Sequence, residues 1–360
     1  MHAQTRFGEI MKRKFTVATT LILISCLPLK ADYSEHEKVG AVVDELVSEY
    51  SFDRTTLMSV FKEIKHRPDI IEIMDRPAET KPWFEYRDIF MQRKRINDGV
   101  RFIRKHREDM DRAFEEYQVP AHIIAAVIGI ETNYGGNMGS YRVMDALATL
   151  GLDYPRREKL FRRELKQFFV LACEERIKPF DADDACEREL NNLSSGQGRS
   201  IEDLKGSYAG AMGYGQFIPS SFRHFAIDFD EDGIRDIWSN ISDAIGSVAN
   251  YFAEHKWTKD GEIMELVEID SSKISPDEHA NLKLETPLMT VAEWQALGIK
   301  SSAPSTQTAA LFAYRLNDKD PPKLQYMLGF NNFYSITRYN PSRLYARAVY
   351  ELAEEIKKKL

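Results

Sequence analysis

Cysteine is scarce in this chain, with three among 360 residues, and the eight histidines show no zinc-like pairing, so neither a disulfide scaffold nor a structural zinc site is in view. Long apolar runs are missing too. The nearest, from Phe15 to Ile24 behind the basic Lys12-Arg13-Lys14, is too short to span a bilayer comfortably and reads as a targeting signal. Positive charge is in deficit: the formal net charge is −7, and the body beyond the basic leader is more acidic still, which disfavours nucleic acid as a partner. The chain also lacks the strand-GxGxxG-helix setting of dinucleotide sites and the Gly-Lys-Ser/Thr of phosphate loops. No repeat or low-complexity tract is present. What remains, 43% hydrophobic and 29% charged, is the composition of an ordinary folded protein long enough for two or three packed units.

The first 26 residues read as an export leader. Leu23-Ile24-Ser25-Cys26 looks like a lipobox, which would make a lipidated Cys26 the mature start; ordinary cleavage after Ala31 is the alternative. Either way the remaining pair, Cys173 and Cys186, meets an oxidising compartment. A disulfide between them is expected, against the reading of two unpaired thiols on a surface segment.

Periodicity predicts a mainly α chain with a small β part. From Val39 to Glu116 apolar residues recur at helical spacing, as in Val42-Val43-Leu46-Val47. Pro120 then opens an apolar run, Ile123 to Ile130, stopped by Gly135-Gly136, which reads as a buried helix. Further helices are expected from Arg157 to Glu175, from Asp243 to His255 and from Ser342 to Leu360. The polar stretch Lys178 to Ser200 reads as an exposed loop, and alternation between Glu262 and Leu316 predicts a small β-containing subdomain.

Three stretches carry chemistry. Glu131 ends the apolar helix, where burial and the negative end of the helix dipole both disfavour its charge, as a general acid requires; a glutamate turned to solvent is the bland alternative. Lys205 to Ser220 interleaves glycines and alanines with aromatics, so that a sugar could approach the backbone closely. Asp228-Phe229-Asp230-Glu231-Asp232-Gly233 opens like an EF-hand loop, with hard oxygen ligands that suit calcium, but Ser239 stands where the closing glutamate belongs. A solvated acidic turn is the competing reading.

Taken with Ile128-Gly129-Ile130-Glu131-Thr132, the segments Asp145-Ala146-Leu147-Ala148-Thr149-Leu150, Tyr154-Pro155-Arg156-Arg157, Gly210-Ala211-Met212-Gly213-Tyr214-Gly215-Gln216, Ser247-Val248-Ala249-Asn250-Tyr251-Phe252 and Ile336-Thr337-Arg338-Tyr339-Asn340 resemble, in order and spacing, the membrane-bound lytic murein transglycosylase B family. The resemblance implies a lysozyme-like catalytic core over 118–260, a helical domain over 35–117 completed by a helix at 341–360, a β-containing subdomain over 261–330 and a cleft-lining segment at 331–340. It makes Glu131 the sole catalytic acid/base, with Ser207, Gln216, Tyr251 and Tyr339 beside the reacting sugar, and Arg156 and Arg157 facing acidic groups of the peptide stems. It also implies an extended calcium loop, 228–243, held by Asp228, Asp230, Asp232, the Ile234 carbonyl and a closing Asp243. The metal would be structural, and no catalytic cofactor is expected. Peptidoglycan glycan strands are the implied partner, together with the outer membrane if Cys26 is lipidated, and cell-wall synthesis proteins as further candidates. The location implied is periplasmic, lipid-anchored or soluble. The rival readings are a lysozyme-type hydrolase and an idle peptidoglycan-binding scaffold.

Overall fold

The computed structural model describes residues 33–75, 81–182, 184–187, 198–270, 272–274 and 289–360; the expected leader, with Cys26 and Ala31, lies outside them. The helical front section comprises α1 (Val39–Tyr50), α2 (Arg54–Glu63), α3 (Pro68–Asp75), α4 (Trp83–Phe90), α5 (Arg93–Lys105) and α6 (Arg107–Tyr117). The apolar run becomes α7 (Ala121–Thr132), with Pro120 at its cap. A two-residue strand, β1 (Tyr141–Arg142), leads into α8 (Val143–Asp153) and α9 (Glu158–Glu174). β1 pairs with β2 (Lys205–Gly206), after which come α10 (Pro219–Phe225) and α11 (Ile241–Glu254).

Capping explains several starts. Asp53 accepts from the Thr56 amide at 2.6 Å ahead of α2, and Asn240 accepts from the Ser242 and Asp243 amides ahead of α11. Pro219 opens α10, where its missing N–H costs nothing.

The helices pack around two cores rather than one. In the first, Leu46, Leu57 and Phe61 from α1 and α2 meet Leu147 of α8 and Phe168 and Phe169 of α9. In the second, Trp83, Val100 and Ile103 from α4 and α5 meet Ile123 to Ile128 of α7 and Val349, Leu352 and Ile356 of a late helix, α14 (Arg343–Lys357). The helical front section thus contributes to both cores, since helical periodicity shows which face is buried but not against what.

The β part follows α11. Strands β3 (Met264–Ile269), β4 (Met289–Thr290), β5 (Ile299–Lys300), β6 (Thr308–Arg315) and β7 (Leu324–Gly329) form one antiparallel sheet in the order β4-β6-β7-β3-β5. Alternation along β6 splits its duties: Ala309 and Leu311 pack with Trp294 of α12 (Val291–Ala296) in a small separate core, while Phe312 and Tyr314 reach the second helical core. The chain then returns through α13 (Asn331–Tyr339) to α14.

The described part of the polar stretch after α9 is less exposed than its composition predicts, and residues 183 and 188–197 of it lie outside the described residues. Phe180 is fully buried between Phe52 and Phe169, and the Asp53 amide donates to the Ala185 carbonyl. One buried aromatic and a few main-chain bonds outweigh the polar residues around them. Cys173, at the end of α9, is bonded to Cys186 with their Cα atoms 6.3 Å apart.

Candidate active site

Glu131 stands one residue before the end of α7, and that end is fixed on several sides. Asn133, Tyr134 and Gly135 all adopt left-handed backbone conformations, which stop the helix at once. Gly135 has no substitute there: a Cβ would come within 2.2 Å of the Tyr214 ring. The Thr132 hydroxyl lies 3.0 Å from the Tyr214 carbonyl and accepts from the Gly135 amide at 3.0 Å, and the Tyr134 hydroxyl donates to the Arg95 carbonyl. These bonds tie the helix end to the loop that follows β2 through Thr132 and to α5 through Tyr134.

The carboxyl of Glu131 is set among protein atoms but keeps partial access to solvent. Burial pushes its pKa up to about 7, against the opposing pull of a hydrogen bond from Tyr345, whose hydroxyl donates to Oε1 at 2.6 Å. A carboxyl poised there is protonated or ionised with comparable ease near neutral pH, as a group that must first give and then take a proton requires.

Tyr345 comes from α14 and is nearly fully buried. Its ring lies parallel to that of Tyr339, 6.4 Å between centroids, and Tyr339 in turn meets Tyr251 edge-on at 4.7 Å. The hydroxyls of Tyr339 and Tyr251 are committed to the main chain, Tyr339 to the Gly215 carbonyl and Tyr251 to the Arg338 carbonyl. Their contribution here is therefore an aromatic wall with fixed orientation.

The loop after β2 is equally fixed. The Ser207 Oγ accepts from the Ala209 and Ala211 amides, which leaves its own proton to donate elsewhere. Gln216, left-handed at φ 51°, donates from Nε2 to the carbonyls of Gly213 and Met138, while Gly139 runs so close to Gly206 that a Cβ would sit 2.0 Å from its carbonyl oxygen.

Arg156 and Arg157 are exposed on a single 3-10 turn after α8, with Arg156 paired to Asp75 at 3.1 Å. Sequence reasoning missed two neighbours of the carboxyl. Tyr345 is one. Tyr86 of α4 is the other, its hydroxyl pushed up to about 12 by burial and, secondarily, by the charge of Glu131. Both look like ordinary amphipathic-helix aromatics; a polar tip at a core position was the only signal available.

In the acidic loop, ligand oxygens of Asp228, Asp230 and Asp232 lie within 4.8 Å of one another, and among the described residues these form the group with metal-binding spacing. Such a set of hard oxygens fits calcium. Asp243, fully buried, lies outside that group: its two oxygens accept from the Phe229 and Asp236 amides, each at 2.7 Å, closing the loop through the main chain.

Residues 34–354 match the family described as the transglycosylase SLT domain. The chain is 33% identical over 342 residues to membrane-bound lytic murein transglycosylase B of Escherichia coli (strain K12), covering 92% of this chain and 85% of that protein. Among solved structures it is similar to the catenated lytic transglycosylase SltB1 from Pseudomonas aeruginosa, with a TM-score of 0.79 and 41% identity over 91% of this chain and 99% of that one. It is also similar to the Escherichia coli lytic transglycosylase Slt35 in complex with calcium, with a TM-score of 0.76 and 32% identity over 91% and 95% of the two chains. A third likeness, to SltB3 from Pseudomonas aeruginosa in complex with NAG-anhNAM-pentapeptide, has a TM-score of 0.70 and 26% identity over 88% and 78%. A family match that runs through both helical cores and the sheet, together with this identity over nearly the whole chain, means that the protein belongs to the transglycosylase SLT domain family.

Proposed function

We infer that the protein is a lytic transglycosylase of peptidoglycan, a lyase with a lysozyme-like core that cleaves the β-1,4 bond between N-acetylmuramic acid and N-acetylglucosamine and leaves 1,6-anhydromuramic acid ends. Its work is cell-wall remodelling and turnover. The observation that carries the reading is the largely buried Glu131 carboxyl, raised to about 7 at the end of an apolar helix and oriented by Tyr345.

In the first step Glu131 gives its proton to the oxygen leaving C1, and the C1–O bond breaks while the substrate's acetamido group stabilises the cationic centre. In the second, the ionised Glu131 takes the proton of the 6-hydroxyl as that oxygen bonds to C1. Glu131 ends as it began and no water is consumed. Tyr339 and Tyr251 wall the sugar, Ser207 and Gln216 supply hydrogen bonds from the fixed loop, and Arg156 and Arg157 meet the acidic peptide stems from the surface.

Asp228, Asp230 and Asp232, with the Ile234 carbonyl, would hold a structural calcium, and Asp243 orders the loop that presents them. The protein acts in the periplasm, after removal of its leader, either anchored by a lipidated Cys26 or soluble. Residues 261–330 form a β-containing subdomain beside the core at 118–260, an assignment supported by the separate small core around Trp294. Digestion of purified sacculi with wild type and Glu131→Gln tests the activity. Anhydro ends that vanish in the variant are expected; reducing ends would mean a hydrolase, and products undiminished in the variant would remove Glu131 from the chemistry.

A further inference from the structure

At the other end of α7 from Glu131 lies a cavity of about 620 Å³. His122 and Ile123, on the first turn of the helix, line it, about 13 Å along the axis from the catalytic carboxyl at 1.5 Å per residue. Its remaining walls come from α6, the turn after α11, β3, α13 and α14. Three aromatic rings from these separate elements, Phe114, Trp257 and Tyr350, contribute to the lining. The turn is rigid: buried Asn332 accepts from the Thr258 amide at 2.8 Å and donates to the carbonyls of Thr258 and Gly261 at 2.8 and 2.9 Å. A cavity of this size, preformed and mixing aromatic faces with a few polar groups, has the makeup of a small-ligand site.

Its charge narrows the ligand. Asp260, Glu262, Glu265 and Glu354 line it against a single ammonium, Lys357. Burial holds the His122 imidazole down to about 4, so it contributes no compensating charge near neutral pH. Phosphates and the carboxylates of peptide stems are repelled from such a surface. Hydroxyl-rich, uncharged rings are not: their C–H faces pack on aromatics, and the carboxylates of Asp260, Glu262 and Glu354 and the His122 imidazole can bond their hydroxyls.

We propose that this cavity is a second, non-catalytic glycan site that takes uncharged N-acetylated amino sugars and holds a strand while the cleft acts on it. The proposal rests on the glycan-cleaving reading above. None of its lining residues is among those placed around Glu131, so it would serve retention on a polymer rather than turnover.

The test uses full-length Glu131→Gln protein and chitotriose, an uncharged oligomer of N-acetylglucosamine, followed by equilibrium dialysis. We expect two binding events, one in the cleft and one here, with the second lost in Tyr350→Ala and, independently, in the exposed Glu262→Lys. In otherwise wild-type protein Tyr350→Ala should leave cleavage of short soluble glycans unchanged and slow release from insoluble sacculi. A single event, a second event that survives both substitutions, or one seen only with cationic chitosan oligomers overturns the proposal. The product analysis of sacculi can fail without affecting this binding count, so the two readings can be rejected separately.

Discussion

The Tyr345 hydroxyl donates to Glu131 Oε1 across 2.6 Å, joining residues 214 positions apart in the chain. The bond favours the ionised carboxyl while burial favours the neutral one, so the pKa of the acid/base is a balance struck between two helices.

Removing one side of that balance has a definite sign. Tyr345→Phe keeps the ring and its stacking on Tyr339 but deletes the donor, so the Glu131 pKa should rise above about 7. A hydrogen bond to a charged group is worth about 1.5–3 kcal/mol, which corresponds to about one to two pH units. The alkaline limb of the pH–rate profile should move up accordingly, with a lower maximal rate because ionised Glu131 takes the second proton less well oriented. An unmoved limb would mean that Tyr345 does not set this pKa.

Stability should carry the same signature. Glu131 has a folded pKa near 7 and an ordinary one of 4.5, so folding favours its protonated form. That contribution is complete below about pH 4.5 and is lost as pH rises through 7. Glu131→Gln, permanently neutral, should therefore match wild type at pH 4 and exceed it at pH 8 by up to about 3 kcal/mol, less whatever partial solvent access screens. Urea unfolding at the two pH values measures it, and equal differences at both would contradict the assignment.

Calcium should raise the thermal midpoint of metal-stripped protein, since a ligand bound by the native state alone stabilises it by mass action. Asp228→Ala combined with Asp232→Ala should abolish the response. The Phe229 side chain of the loop packs into the second core and Arg112 of α6 stacks on its ring, so the gain should be felt by the fold as a whole. A midpoint indifferent to millimolar calcium would retire the site.

Breaking the Cys173–Cys186 bond should cost stability and not chemistry. A bond closing a loop of this length contributes about 2–4 kcal/mol. The double Cys173→Ser/Cys186→Ser variant should unfold at lower denaturant yet cleave sacculi at the wild-type rate where both are folded. A rate loss without a stability loss would place the bond in the site.

Much of the helix that bears Glu131 was legible because its signals are local: Pro120 ahead, an apolar run, then glycines behind. The neighbours that tune it were not. Tyr86 and Tyr345 lie on helices read as amphipathic, and periodicity assigns them to a buried face without saying that the face opens on a carboxylate. Periodicity is equally silent on which core a face joins: Leu57 and Val100, both in the helical front section, serve different ones. Composition did not show that Phe180 anchors the start of the stretch after α9 inward. For the acidic loop the spacing of the three aspartates was informative, whereas the occupation of Asp243 by two amides depends on a fold around it.

The long reach between Glu131 and Tyr345 also has a kinetic meaning. Contacts between residues so distant in sequence bear the largest loop-closure entropy and tend to form late in folding. A chain that has folded only its first helices, or whose α14 has frayed away, holds Glu131 without its donor and without the aromatic wall. The lytic site thus exists only in the completed molecule, and a partly folded copy has no means of cutting the wall of the cell that makes it.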